Sequence, residues 1–348
     1  MLKKFKQAAL RSLKTTGVSS LVQNSRWRRE RLLILAYHGI SLSDEHLWNG
    51  SQFLSVETFR ARLEALKRSN CVVLPLGEAV ERLYTNDLPE RAVAITFDDG
   101  TSDFYRRAFP LIQEFGVPVT LYLTTFYSCY QRPVFDLMCS YLLWKGRSNA
   151  LDLKELTGHD LKMDLSSFDA RDLALDQIHA FARGQKLSAD EKDAFAASLA
   201  AHLNVDYQPL LDQRVMHNLT AAEVGQLAAG GIDIQLHTHR HRTPMDRQLF
   251  LREIEDNRKT IHEMTGTVAD HFCYPSGRYR PAFLPWLREA GVMSATTCER
   301  GFASRSSDRL LLPRLLDSNT LSPIEFEGWL TGVSAILPQR RVLKEHAA

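Results

Sequence analysis

The 348-residue sequence predicts an α/β fold: a closed barrel of parallel strands with helices packed outside it. From residue 32 onward, short β-rich runs alternate with amphipathic helical stretches, the pattern that makes neighbouring strands parallel. Seven or eight such units recur, a number that suits closure better than an open sheet. The length permits it, since an α/β barrel takes roughly 250 residues as one domain and leaves room here for an insertion.

Residues 32–37 are a continuous apolar run and read as a buried strand, and 56–67 read as a helix opened by Ser55. A short strand over 72–74 leads to a helix over 77–84. A strand over 93–97, a helix over 105–115 and a strand over 117–124 follow. The alternation then stops, and 128–218 reads as helical throughout, with one helix over 168–183 and another capped by Ser188 and Glu191. It resumes with a capping box, Thr220 and Glu223, for a helix over 221–229, then a strand over 232–236 and a long helix over 246–264. A strand over 272–274, a helix over 281–290, strands over 292–297 and 311–315 and a helix over 323–332 complete the pattern. The barrel is therefore assigned to 32–127 and 219–335. Residues 1–31 form a basic N-terminal segment, 128–218 a helical insertion acting as lid or buttress, and 336–348 a tail.

The formal charge of +2 conceals an uneven distribution. Residues 1–31 hold nine Lys or Arg and one acidic residue, a net of +8, so the remainder carries about −6. Residues 2–14 fit an amphipathic basic helix with Leu2, Phe5, Ala9 and Leu13 in register. It reads either as a contact with an anionic membrane surface or as a solvated cap on the barrel. Arg11 and Lys14 interrupt the apolar core that a signal peptide needs, so a cytoplasmic protein, peripheral on the inner membrane face if residues 1–31 attach it, is expected. No apolar run approaches the ~20 residues of a membrane span. Five cysteines with no C-x-x-C pair argue against a disulfide framework. With no basic stripe interleaved with aromatics, no nucleic-acid partner is expected.

Two segments carry chemistry. In AITFDDG, residues 94–100, Asp98 and Asp99 end an apolar strand, and Gly100 lets the backbone turn. Charge at the end of a buried run is costly unless a cation, a base role or a helix N-terminus requires it. Successive residues of an extended chain point apart, so the two carboxylates can have different tasks. In QLHTHRH, residues 235–241, His237 and His241 are four apart, which places them on one face of a helical turn, while His239 points away. Asp99, His237 and His241 together make three N/O ligands with positions left open, the composition of a catalytic divalent site. Asp98 is then free to deprotonate a water that the cation acidifies.

The TFDDG and H-T-x-x-H segments, in this order on a βα frame, resemble the polysaccharide deacetylase family, the NodB-homology carbohydrate esterases. LAYHGI at 35–40, YPSG at 274–277 and LPRL at 312–315 add to the resemblance, which covers about 32–125 and 219–320. It implies a distorted (β/α)7 barrel and metal-dependent removal of acetyl groups, mostly N-acetyl, from amino-sugar glycans. Implied partners are an acetylated oligo- or polysaccharide or a lipid-linked sugar. The implied cation is zinc, with cobalt, manganese or nickel as substitutes. By position, Asp98 becomes the base, Asp99, His237 and His241 the metal ligands, and the Ser276 backbone N–H after Pro275 the oxyanion donor.

The sequence departs from this family in three places. Cys273 stands where the best-known members have an Arg that orients the base, and Ser276 where they have an aromatic. Arg314 of LPRL is the substitute for that Arg, or else a structural salt-bridge residue. No late L-x-H segment supplies a histidine general acid; His346 is the one His after 271, and His38 is the replacement by position. Two alternatives stay open: a catalytically impaired glycan-binding protein on the same barrel, and a non-haem iron oxygenase, which also uses two His and a carboxylate.

Overall fold

Seven apolar runs become the staves of a closed parallel barrel in the computed structural model, which describes residues 2–337. They are β1 (Arg31–Tyr37), β2 (Ala92–Phe97), β3 (Thr120–Leu123), β4 (Asp233–Leu236), β5 (His271–Cys273), β6 (Ser294–Arg300) and β7 (Leu312–Leu316). Each pairs with the next in chain order, and β7 returns to β1 through Leu35 opposite Leu315, which closes the circuit. The barrel is distorted: β4 and β5 share one register pair, Phe272 with Leu236, and the β6–β7 register shifts between Thr296 and Arg300. Ile34, Ala94, Tyr122, Cys273 and Leu312 belong to the cluster that fills the barrel, while Leu33, Leu35, Val93, Ile95 and Leu121 join the larger core with the helices. Period-2 alternation thus sorts β1, β2 and β3 between two cores.

The expected strand over 72–74 is not a stave. Val72–Val73 pairs only with the first two residues of β2 and keeps Val72 exposed. Seven staves already close the barrel without it.

Among the helices, α1 spans Leu2–Thr15, α2 Phe135–Lys145, α3 Phe168–Gly184, α4 Ala189–His202, α5 Arg247–Thr265 and α6 Pro323–Thr331. The segment between β3 and β4 builds its own core from α2, α3 and α4, with Met138, Leu142, Ile178 and Leu199 buried in it. It is not helical throughout: Ala150–Asp152 and Lys162–Asp164 form an antiparallel pair that points Leu151 and Met163 into this core. A bridge from Thr101 to Asn218 fastens it to the barrel, and one from Pro133 to His217 ties its two ends together. The expected tail, including His346, lies from residue 338 onward outside the described residues.

The N-terminal segment is built into the fold. Helix α1 lies along α6, with Leu10 buried against Gly328, the Lys3 ammonium donating to the Thr320 carbonyl at 2.7 Å, and Lys14 paired with Glu327. Gln7, Leu10 and Lys14 therefore face the barrel, whereas Phe5, expected on the apolar stripe, is 76% exposed. Arg28 is wholly buried and donates to the carbonyls of Leu330 at 3.1 Å, Arg31 at 2.8 Å and Ala92 at 3.2 Å. Ala92 and Arg31 open β2 and β1, so this guanidinium plugs the amino end of the barrel, and burial pushes its pKa down to about 10. Arg28→Ala leaves three carbonyls without that donor and is expected to cost about 3 kcal/mol or more in urea denaturation. A change under ~1 kcal/mol would show that water replaces the guanidinium.

Candidate active site

The carboxyl ends of β1, β2, β4, β5 and β7 bring the expected residues together. After β2, the Asp98 N–H still donates to the Tyr37 carbonyl at 2.9 Å, which continues the ladder and holds Asp98 inside the barrel. Asp99 then takes φ 72° and Gly100 φ 80°, reversing the chain so that the two carboxylates diverge. A side chain at Gly100 would place its Cβ 2.3 Å from Leu123 Cδ1, so glycine is required there for space as well as for φ.

Asp98 accepts both forks of Arg314, Nη1 to Oδ1 at 2.7 Å and Nη2 to Oδ2 at 2.8 Å. Both residues are buried. Burial alone would raise the Asp98 pKa, but the charge and hydrogen bonds of Arg314 outweigh it and hold the carboxyl below its ordinary value. Arg314 is itself fixed: Nε donates to the Thr297 carbonyl at 3.0 Å, Nη1 to Thr96 Oγ1 at 3.1 Å and Nη2 to Cys273 Sγ at 3.1 Å. Cys273 occupies the place beside Asp98 and leaves room for an arginine that arrives from β7. His38, directly after β1, sets Nε2 3.8 Å from Asp98 Oδ2 and is one-fifth exposed at its side chain. Ser276 takes φ 55° in the turn Pro275–Gly277 that follows β5, and a Cβ on Gly277 would lie 2.6 Å from that of Cys298.

The histidine segment is an irregular turn, not the helical turn that its spacing suggests. Thr238 at φ 62° and His241 at φ 53° bend it so that the His237 and His241 rings sit 5.0 Å apart. His237 Nδ1 donates to the Cys273 carbonyl at 2.8 Å, which leaves the Nε2 lone pair facing Asp99 Oδ1 at 3.1 Å. His241 Nε2 stands 3.3 Å from the same oxygen. His239 turns away to Thr125 Oγ1 at 2.8 Å. Ligand atoms of Asp99, His237 and His241 lie within 4.8 Å of one another, a converging set of one carboxylate and two imidazoles that fits a divalent cation. Asp98, His237 and Cys273 come equally close, but Arg314 engages both oxygens of Asp98, and His237 directs its free nitrogen to Asp99.

Sequence reasoning missed Asn257, which accepts the His237 N–H at 2.9 Å and donates to the Leu123 carbonyl at 3.0 Å and Thr125 Oγ1 at 2.9 Å. The signal was available: Asn257 interrupts the apolar stripe Phe250, Ile254 and Ile261 of α5. Asp103 was missed too. Its buried Oδ2 accepts the Ile40 N–H at 2.6 Å, two residues beyond His38. Burial, reinforced by Glu45 and opposed by Thr101 and Ile40, pushes its pKa up to about 7. A raised pKa means that folding favours the neutral form, so this contribution is full below the ordinary carboxylate range and is lost as pH rises through about 7. The melting temperature is expected to fall across that window, and Asp103→Asn to flatten the fall; an unaltered slope in the variant would contradict it.

Against known proteins, the family model described as polysaccharide deacetylase matches residues 85–138 and 197–295. It spans Asp98, Asp99, His237, His241 and Ser276 and omits His38, Arg314 and much of the insertion. Over these stretches the chain is similar to the polysaccharide deacetylase family. A Bacillus subtilis protein carrying a polysaccharide deacetylase name, YxkH, is 22% identical over 306 residues, which cover 86% of this chain and 76% of that protein. The poly-beta-1,6-N-acetyl-D-glucosamine N-deacetylase of Staphylococcus epidermidis is 25% identical over 150 residues, or 38% of this chain and 52% of that one. Among solved structures, the Streptococcus pyogenes deacetylase PplD in complex with acetate superposes with a TM-score of 0.55 at 19% identity, covering 85% of this chain and 96% of that one. This last likeness is one of fold alone.

Proposed function

We propose that this chain is a polysaccharide deacetylase that hydrolyses N-acetyl groups on an N-acetylglucosamine polymer with the help of a divalent cation. One observation supports the chemistry above all: a buried carboxylate locked in a two-forked arginine pair stands beside a separate carboxylate–imidazole triad. The partly matching Staphylococcus epidermidis deacetylase supports the substrate class.

Asp99, His237 and His241 would hold the cation, zinc being the first choice for two imidazoles and a carboxylate, with cobalt, manganese or nickel as substitutes. When bound, it supplies Lewis-acid polarisation of the acetyl carbonyl and lowers the pKa of water. Asp98 takes the proton from the attacking water, and Arg314 keeps its carboxylate ionised and oriented. The Ser276 N–H serves the developing oxyanion, and His38, near Asp98 and open to solvent on one side, returns a proton to the leaving amine.

The test is acetate release from acetylated amino-sugar oligomers with and without a chelator. Release is expected to stop on chelation and to return with added zinc. Chelator-insensitive release would overturn the cation role, and absence of release from every substrate would favour the glycan-binding alternative. The iron-oxygenase alternative loses its frame, since such sites sit typically on antiparallel β-sandwiches and this one sits on a parallel barrel.

A further inference from the structure

The insertion at 128–218 has an apolar core of its own, and residues from elsewhere in the chain complete it. Among the described residues, only three hydrophobic side chains from outside 128–218 pack into that core: Leu42, Trp48 and Phe53. All three lie on the loop that leaves β1, and His38 opens that loop. Phe53 is buried there, and the Trp48 ring centre sits 5.8 Å from that of Phe53 and 5.4 Å from that of Tyr141 on α2. A polar contact joins the same two elements. Asp44 accepts the Tyr141 hydroxyl and, at 2.7 Å, the Lys145 ammonium.

From these contacts the path to His38 is short. Gly39–Ile40 and Phe53–Leu54 run as a parallel pair, in which the Gly39 N–H donates to the Gln52 carbonyl at 3.0 Å and the Ser41 N–H to the Leu54 carbonyl at 2.8 Å. A Cβ on Gly39 would lie 2.4 Å from Phe53 Cδ1, so the Phe53 ring is pressed against the backbone next to His38. Asp103 fixes the same stretch from the β2 side by accepting the Ile40 N–H. The insertion therefore bears on His38 through one ring and one peptide bond. His38 Nε2 stands 3.8 Å from Asp98 Oδ2, and a misplacement of about 1 Å is enough to cost a positioned catalytic group about 10²-fold.

We propose that the insertion is a buttress for the β1 loop, and that Trp48, with Tyr141 behind it, is a positioning residue for His38 in the step that returns a proton to the leaving amine. This rests on the deacetylase reading above. The experiment measures kcat and KM in the full chain for two substrates. One is an oligomer of β-1,6-linked N-acetylglucosamine, whose amine must be protonated to leave; the other is 4-nitrophenyl acetate, whose phenolate leaves without a proton. Trp48→Ala is expected to lower kcat for the oligomer about tenfold with KM within about twofold and to spare the ester, while Trp48→Phe retains both rates. Added to His38→Ala, Trp48→Ala is expected to cost nothing more, since the side chain it places is already gone. A fall shared by the ester, or losses that multiply in the double variant, overturns the positioning role. So does an oligomer rate unchanged in Trp48→Ala or in His38→Ala. If Trp48→Ala does not fold, Tyr141→Phe, which keeps the ring and drops one hydrogen bond to Asp44, carries the same comparison with an expected fall of about threefold. If the wild type releases no acetate, the deacetylase reading fails, and the hold on His38 is judged by hydrogen exchange. Trp48→Ala must then speed exchange at the Gly39 and Ser41 amides by about tenfold or more and leave the Asp98 amide unchanged. Equal exchange at Gly39 and Ser41 in wild type and variant means that there is no buttress.

Discussion

Asp98→Asn is expected to lower turnover by about 10² to 10⁴-fold while the cation stays bound. The amide keeps the size of the carboxylate but has no basic oxygen to take a proton from water. Asp99, His237 and His241 meet one another without help from Asp98, so their ligand atoms should stay within reach of one cation. Zinc content measured on the purified variant, beside its kcat, separates the two effects. A glycan-binding protein on the same barrel would keep its affinity and show no turnover in either form. Turnover within about tenfold of wild type would remove Asp98 as the base. Loss of zinc together with activity would instead make Asp98 part of the ligand set, which its full engagement by Arg314 argues against.

The carboxylate pair and the two imidazoles that converge with it were legible because expense is legible. A pair of carboxylates closing an apolar strand, and imidazoles closing another, have few inexpensive explanations. Their local geometry was not legible. The i,i+4 spacing of His237 and His241 suggests a helical turn, yet two left-handed residues bring the rings together instead. Backbone φ at Thr238 answers to tertiary anchors such as Asn257, which a local pattern does not contain. The closed barrel followed from the alternation, but a count of exactly seven staves and the exclusion of 72–74 did not, because closure is a property of the whole circuit. The strands at 150–152 and 162–164 are three residues each, too short for a period-2 signal. In α1, the periodic stripe named Phe5, but the docked side is set by where Gly328 leaves space for Leu10.

Removing Arg314 should harm stability and activity together, and the two losses can be taken apart. Arg314→Met leaves Asp98 as a buried carboxylate without its cation, and it removes the donors to Thr96, Thr297 and Cys273. A broken buried ion pair costs about 3 to 5 kcal/mol, which urea denaturation would show directly. A salt bridge that serves only the fold predicts that this is all. An arginine that orients the base predicts in addition a fall in kcat of about 10²-fold, measured where the variant is fully folded, with KM little changed. Arg314→Lys keeps the charge but not the fork, so it should recover more stability than activity. The double variant Asp98→Asn with Arg314→Met supplies the control. With the carboxylate neutralised, the second substitution should cost much less than it does alone, a coupling of about 1 to 3 kcal/mol between the two sites. Full activity in stably folded Arg314→Met would reduce the arginine to scaffolding. A loss in kcat beyond what unfolding explains would mean that β7 has taken over a task for which β5 offers only Cys273, the thiol that makes room for the guanidinium and accepts one of its hydrogen bonds.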